Sequence, residues 1–428
     1  MSNPFRVKTL RLSNGERLPL ILDTQTGRPL FGPLSFSLHH LRARGYAANT
    51  IKQFCQTVSL LEYFLRTNGI CISERLERGL ILDEAELSKL IRLFHHKADN
   101  FEIACSLSQK DKPSLKRLPS FEKVRKLATK HAQDQVAPIT LAIRLHYTRE
   151  YLANQATNYA LKQATPQGIR SLLHESSELL KKRIGANMPS TANPTDAPAP
   201  EGLTDAQVEL LLSITRPDSV SNPWKDEFVR KRNHVILLCL LSLGVRGGEL
   251  LRLKTSDFNP SSGTISITRG ADDIDDPRRN QPNTKTTARD LGVSQELSSL
   301  LLAYITIDRR KTPGARRHPF LFVAKDGAPL SLNSLYKIFT TLRSKCPELI
   351  SSLTAHLLRY TCTDDILLQF ESSELSPEQQ AHELRYLLGW SEKSNMPEKY
   401  GRRHIVKQAN KVLVQRQKKV FRGKVNEN

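Results

Sequence analysis

At 428 residues the chain is long enough for two or three domains of ordinary size, and at 39% hydrophobic it can fill their cores. Its 64 Lys and Arg against 43 Asp and Glu give a formal net charge of +21 and a pI near 9.8. That is the footprint of a nucleic-acid binder, shared with ribosome-associated and membrane-surface proteins. No apolar run approaches the roughly 20 residues that span a bilayer; the longest, Val235 to Leu243, is broken only by Ser242 and reads as a buried helix. The N-terminal MSNPFRVKTL lacks the apolar stretch of a secretory signal. Six cysteines (Cys55, Cys71, Cys105, Cys239, Cys346 and Cys362) fall singly and form no C-x-x-C pair, which favours a reducing cytoplasm and no structural zinc.

Residues 1–34 read as a small β arm. Alternation in Val7 to Leu12 and again in Leu18 to Leu22, around Asn14-Gly15, predicts a hairpin whose two turn residues both tolerate positive φ, with Pro19 marking an edge strand. From 35 to 186 the pattern becomes helical. Thr50, Ile51, Phe54, Val58, Leu61 and Leu65 form one stripe, with Asn49 as N-cap and Asn68-Gly69 as its end. Leu87, Leu90, Ile91 and Phe94 form another after Asp83, and a third helix starts with Pro138 at its first position and runs through Ile139, Ile143, Tyr147 and Leu152. The basic stretch Gln109 to Lys130 between them reads as a loop or short helix. Residues 187–202, NMPSTANPTDAPAPEG, form a Pro-rich spacer and the clearest domain boundary.

A second domain, 203–412, opens where Thr204 caps a helix carrying Val208, Leu211 and Leu212. It continues through a buried helix at 229–243, a β-hairpin from 263 to 293, and helices at 294–308 and 331–345. A basic tail, 413–428, closes the chain, preceded by a short helix whose apolar face is Ile405, Ala409, Val412 and Leu413.

Six polar residues of this second half stand out, each beside an apolar stretch that could hold it rigidly. Arg246 lies in Gly244-Val245-Arg246-Gly247-Gly248-Glu249-Leu250, where glycines permit close approach and Glu249 can orient the guanidinium; an ordinary interhelix turn has the same look. Lys285, in Asn283-Thr284-Lys285-Thr286-Thr287, sits at a turn before a strand and is either a solvated turn lysine or a proton donor. His356 and Arg359, spaced i and i+3, share a helix face. Trp390 follows a helix end in Leu387-Leu388-Gly389-Trp390, and Tyr400 comes ten residues later; either could equally be a core aromatic. Together, two guanidiniums, an ammonium, an imidazole, an indole N–H and a phenol suit the gripping and metal-free attack of a phosphodiester.

The order G-x-R-x-x-E-L, T-K-T before a strand, H-x-x-R, L-G-W and then a tyrosine resembles the phage-integrase family of tyrosine recombinases over residues 203–412. Gly45 to Ile51 and Ala137 to Thr140 are similar to helix starts of that family's core-binding domain. Tyr360 replaces a commoner His or Arg, Trp390 a commoner His, and the interval from Arg359 to Trp390 is longer than usual, with an acidic stretch from Glu371 to Glu378.

The resemblance implies a mainly α fold with a small β component, namely a β arm, a helical SAM-like core-binding domain and an α+β catalytic domain. It implies a site-specific DNA recombinase acting through a 3′-phosphotyrosyl intermediate, independent of metal, ATP or cofactor. Tyr400 would be the nucleophile and Arg246, Lys285, His356, Arg359 and Trp390 its partners. Double-stranded DNA would be the partner, and the chain a free monomer that forms a homotetramer on two sites, in the bacterial cytoplasm with the nucleoid and not at a membrane. A type IB topoisomerase-like relaxing enzyme and a non-catalytic DNA-binding protein on the same fold are the alternatives.

Overall fold

The computed structural model describes residues 3–107, 134–190, 201–270, 272–282, 284 and 286–423, with the backbone alone at 371, 398–408 and 422–423. The predicted basic segment Gln109 to Lys130, and the Pro-rich spacer apart from its ends, lie outside the described residues. The chain divides into two compact units, Met1–Thr195 and Asp196–Asn428. Both are built mainly of helices, and among the described residues each holds one small antiparallel sheet. No helix among them is long and apolar enough to cross a membrane.

In the first unit β1 (Phe5–Arg11) and β2 (Arg17–Asp23) pair in the register Phe5 to Asp23 and Arg11 to Arg17. Leu12 and Glu16 still bond, Leu12 N to Glu16 O at 2.8 Å, so the loop is Ser13-Asn14-Gly15. Only Gly15 takes a positive φ, 86°. Asn14 serves the turn through its side chain, which accepts from Glu16 N at 3.0 Å. The hairpin packs on α2 (Ala48–Thr67), after α1 (Phe31–Phe36).

Helix α2 keeps an exposed face of Asn49, Gln53 and Gln56 along its first half and is buried nearly all round from Thr57 to Leu65. Phe54 has no exposed surface and lies 4.9 Å from the ring of Phe36, 5.7 Å from Tyr147 and 5.9 Å from Tyr151. Its N-cap is Ala47, not Asn49: the left-handed Gly45 turns the chain early, and Asn49 falls on the exposed side of the first turn. After α3 (Ile72–Glu77), α4 (Glu84–Phe94) starts in a capping box between Asp83 and Glu86. The unit closes with α5 (Ala98–Leu107), α6 (Pro138–Ala160), which has Pro138 at its start as expected, and α7 (Gln167–Ala186). Arg144, buried in α6, donates to Phe94 O at 2.7 Å and His96 O at 2.6 Å, capping the C-terminus of α4.

In the second unit α8 (Asp205–Thr215) begins in a capping box of Thr204 and Gln207. Helix α9 (Glu227–Leu243) is capped by Asp226 and forms the core, with Ile236, Leu237, Cys239 and Leu240 fully buried. It stops at Gly244, φ 57°, where an added Cβ would lie 2.9 Å from Cys362 Sγ. The short α10 (Gly247–Arg252) follows, then a sheet of β3 (Phe258–Asn259), β4 (Thr264–Ile267) and β5 (Arg289–Gly292) in that order. The predicted hairpin is β4 with β5, joined by a long connection, and β3 went unpredicted because it is two residues long.

Helices α11 (Gln295–Ala303), extended by a wider turn to Arg309, α12 (Leu332–Lys345), α13 (Ala355–Glu371), α14 (Pro377–Leu388) and α15 (Met396–Gly423) complete the unit. Helix α13 packs on α9 and α15. The expected boundary at residue 412 falls inside α15, so the expected short helix and the basic tail up to Gly423 are parts of one 28-residue helix.

Asp83→Ala removes a side-chain cap and should cost about 1 kcal/mol, whereas Asn49→Ala trades a non-capping residue for a better helix former and should cost nothing. Urea unfolding of the two full-length variants checks this. A loss at Asn49 equal to that at Asp83 would contradict the assigned caps.

Candidate active site

The second unit brings Arg246, His356, Arg359 and Trp390 together around a buried carboxylate, Glu249. Arg246 is the N-cap of α10, placed there by the left-handed end of α9, and its backbone N donates to Glu249 Oε2 at 3.0 Å. Its Nη1 lies 3.5 Å from Glu249 Oε1, and its guanidinium stays about one-third exposed, at 34%. Gly247 is needed beside it, since a Cβ there would come within 2.7 Å of Leu335.

His356 and Arg359 lie in the first two turns of α13, which starts where the Thr354 hydroxyl accepts from Leu357 N at 3.2 Å. Arg359, expected to fork onto a phosphate, is 0% exposed. Its Nη1 donates to Gly244 O at 2.6 Å and its Nη2 to Leu388 O at 2.7 Å. These carbonyls end α9 and α14, so the guanidinium caps two helix C-termini, where the dipole favours a cation. Arg359 Nη1 is also 4.0 Å from Glu249 Oε2. The Trp390 ring, 6% exposed, lies 5.7 Å from the Arg359 guanidinium carbon. Trp390 reaches this place because α14 ends at Gly389, φ 62°, and Trp390 N returns to Arg385 O at 2.8 Å.

The His356 ring packs edge-on against Tyr360 at 4.8 Å and opens to solvent on its other side. Loss of hydration on the inner side, then the Arg359 and Arg246 charges, lower its pKa below the ordinary 6.5, so the imidazole is neutral at neutral pH. Burial pushes the Glu249 carboxyl up. The Arg289 guanidinium, with hydrogen bonds from Arg289, Thr286 and Arg246 N, more than offsets this and holds it below 4.5, ionised.

Arg289 was not foreseen. It opens β5, has no exposed side-chain surface, and its Nη2 is 2.9 Å from Glu249 Oε2. A signal was available: Arg289 shares the inward face of its strand with Leu291, and a charge in the buried register of a strand needs a partner. Thr286, whose hydroxyl donates to Glu249 Oε1, was likewise passed over.

Lys285 lies outside the described residues, between the described Thr284 and Thr286. Tyr400 is on α15, which packs against α13 and α14, and only its backbone is described. Among the described residues no group of His, Cys, Asp and Glu is arranged to hold a metal ion.

The model of the phage integrase family matches residues 202–403. The tyrosine recombinase XerD of Halalkalibacterium halodurans is 27% identical over 169 residues, 39% of this chain and 48% of that protein. The chain therefore matches about half the length of this curated relative. Among solved structures, the Tn1549 transposon integrase in complex with a circular intermediate DNA aligns over 73% of this chain and 93% of its own, at 15% identity and TM-score 0.42. The XerH site-specific recombinase bound to palindromic difH substrate aligns over 85% and 96%, at 16% identity and TM-score 0.40.

In the unfolded chain His356 takes up a proton near 6.5, and in the folded site only at lower pH. As pH falls through this window the unfolded state binds the proton first, so stability present above it is lost. His356→Gln should shrink the drop in thermal midpoint between about pH 7 and pH 5. Equal drops in the variant and the wild type would mean that the imidazole titrates normally.

Proposed function

We propose that this chain, whose residues 202–403 are a domain of the phage integrase family, is a site-specific DNA recombinase that cleaves and rejoins duplex DNA through Tyr400. The observation that carries the reading is the pair of arginines, Arg246 and Arg359, set on either side of one ionised carboxylate with His356 and Trp390 beside them.

The phenolic oxygen of Tyr400 attacks the scissile phosphorus, and the bond from phosphorus to the 5′-oxygen breaks. A 3′-phosphotyrosyl bond forms, and Lys285 delivers the proton that makes the leaving oxygen a 5′-hydroxyl. A free phenol has a pKa near 10, and cations nearby favour its charged form. Arg246, partly exposed, meets a nonbridging oxygen directly. Arg359, fully buried, lends its charge from beneath. Neutral His356 donates a hydrogen bond to the same phosphate, and Trp390 completes the cradle. Because a phosphotyrosyl bond keeps the energy of the phosphodiester, a 5′-hydroxyl from another duplex can reverse the step, and strands are exchanged.

Double-stranded DNA is the proposed partner, held by both units through phosphate contacts suited to the charge of +21. The proposed assembly is a monomer that becomes a tetramer on two sites. In α15 the described residues from Ala409 to Phe421 are all exposed, among them Val412, Leu413 and Phe421, an apolar set that a neighbouring subunit would cover.

Tyr400→Phe should abolish covalent capture on a nicked duplex while DNA affinity stays within about twofold, because only the attacking oxygen is lost. Capture that persists in this variant, or that maps to Tyr360 or Tyr386, would overturn the assignment. Unimpaired DNA binding with no capture by the wild type would leave a non-catalytic binding protein, and relaxation without strand exchange would favour a topoisomerase.

Arg246→Ala should lower the single-turnover cleavage rate by at least about 100-fold, near 3 kcal/mol, and Arg246→Lys should rescue it poorly because an ammonium cannot fork. A rate within about threefold of wild type would contradict the role. Removing residues from 405 onward should reduce recombination far more than binding to one site. Native gels showing normal two-duplex complexes would make the end of α15 a private element of each subunit.

A further inference from the structure

Arg289 belongs to the buried charge cluster, yet with no exposed side-chain surface it cannot touch DNA. We propose that it is a positioning residue of this site: the counter-ion that lets Glu249 orient Arg246 and Arg359 without neutralising them, and the pin that joins three separate segments of the site. The proposal rests on the strand-cleaving reading above.

The charge argument comes first. Glu249 has no exposed side-chain surface and lies 3.5 Å from Arg246 Nη1 and 4.0 Å from Arg359 Nη1. Alone between them, a buried carboxylate would draw both guanidiniums inward and cancel half of their charge where an anionic phosphate must be received. Arg289 Nη2, at 2.9 Å, makes the closest ion pair with that carboxylate. It takes up the negative charge at Oε2, whereas the Arg246 guanidinium is nearest Oε1, and leaves the other two arginines with a net positive field. Glu249 then acts on them through geometry.

The second argument is connection. Arg289 Nε donates to Leu387 O at 2.8 Å, and two residues before it Thr287 N donates to Gly389 O at 3.2 Å. The turn that carries Trp390 is thus tied to β5. Gly389 sits so close on the guanidinium that an added Cβ would lie 2.4 Å from Arg289 Nη1 and 2.9 Å from its Cζ. Arg289 Nη1 also donates to Thr286 Oγ1 at 3.4 Å, while the same hydroxyl donates onward to Glu249. One planar side chain therefore links Glu249, the turn after α14 and the residue next to Lys285. A lysine supplies the charge but has no fork with which to hold Leu387, Thr286 and Glu249 together.

The test uses the full chain with Arg289→Met, Arg289→Lys, Glu249→Gln and the double variant Glu249→Gln/Arg289→Met. Three quantities are read: single-turnover covalent capture on a nicked duplex, DNA affinity, and the thermal midpoint. Arg289→Met should slow capture by at least about 30-fold with affinity within about threefold, and Arg289→Lys should fall between it and the wild type. Adding Glu249→Gln to Arg289→Met should recover at least about threefold, because the unbalanced carboxylate is gone. The deficit of Arg289→Met should also shrink as pH is lowered and Glu249 becomes protonated, a response that mere loss of packing would not give.

Capture by Arg289→Met within about threefold of wild type, or a double variant no better than Arg289→Met, overturns the proposal. A wild type that captures no duplex overturns the strand-cleaving reading instead, and the midpoints then judge the counter-ion. They support it if the double variant is more stable than Arg289→Met, and they reject it if the double variant is equal or worse. The same comparison decides the matter if Arg289→Met folds too poorly to assay.

Discussion

A carboxylate removed from water is stable only where cations and hydrogen-bond donors replace its hydration, and the second unit is organised around meeting that demand at Glu249. Arg289, Thr286, the backbone N–H of residue 246 and the Arg246 guanidinium all converge on it. They come from two stretches of chain: the turn after α9, and the segment that runs from Thr286 into β5. Removing one member of such a group leaves charge uncompensated, at a cost of about 3–5 kcal/mol. That penalty is what lets groups far apart in sequence hold one geometry.

Arg359 shows the same logic from the cation's side. Its charge is tolerated in a fully buried place because two helices end there, and both ends are forced by glycine. Gly244 and Gly389 take positive φ, which stops α9 and α14 abruptly and turns their last carbonyls toward one point. A Cβ at Gly244 would meet Cys362 Sγ at 2.9 Å and Leu388 Cδ2 at 3.1 Å, so these ends also pack too tightly for another residue. The first unit uses the device once more, with Arg144 on the carbonyls that close α4. Of the six buried arginines among the described residues, Arg144 and Arg359 are helix caps, and at Arg359 the cap lies beside Glu249.

Much of this was legible in the sequence. Where a local rule has a local cause, the reading succeeded: a helix after Asp83, Thr204 as a cap, Pro138 at a helix start, a helix end just before Trp390. His356 and Arg359 were placed on one face because helical spacing alone decides it. Asn49 misled, since a good cap residue two positions too late looks the same in sequence as one in place, and the start was set by Gly45 instead. Arg289 escaped because its partners lie 40 residues before it and 98 after it, in Glu249 and Leu387, and the inward register it shares with Leu291 shows that it needs a partner without showing which. The burial of Arg359 was hidden for a related reason: it depends on two helix ends brought together only by the packing of α13 on α9 and of Gly244 on Leu388.

The last step of synthesis concerns α15. A short amphipathic segment was expected to need a docking place of its own, because few apolar residues cannot sustain an isolated helix. The structure resolves that need differently: the segment continues a helix whose first part packs on α13 and α14, so its backbone is nucleated from the unit and propagates outward. The apolar side chains beyond Ala409 are thereby left exposed, with Phe421 at 71%. Val412 stands twelve residues after Tyr400 on one continuous helix, about 18 Å along its axis. A helix is stiff over that distance, so whatever covers the exposed end fixes the orientation of the residues near Tyr400 as well. Cover of the exposed end and placement of the Tyr400 backbone are therefore linked through the rigidity of a single element.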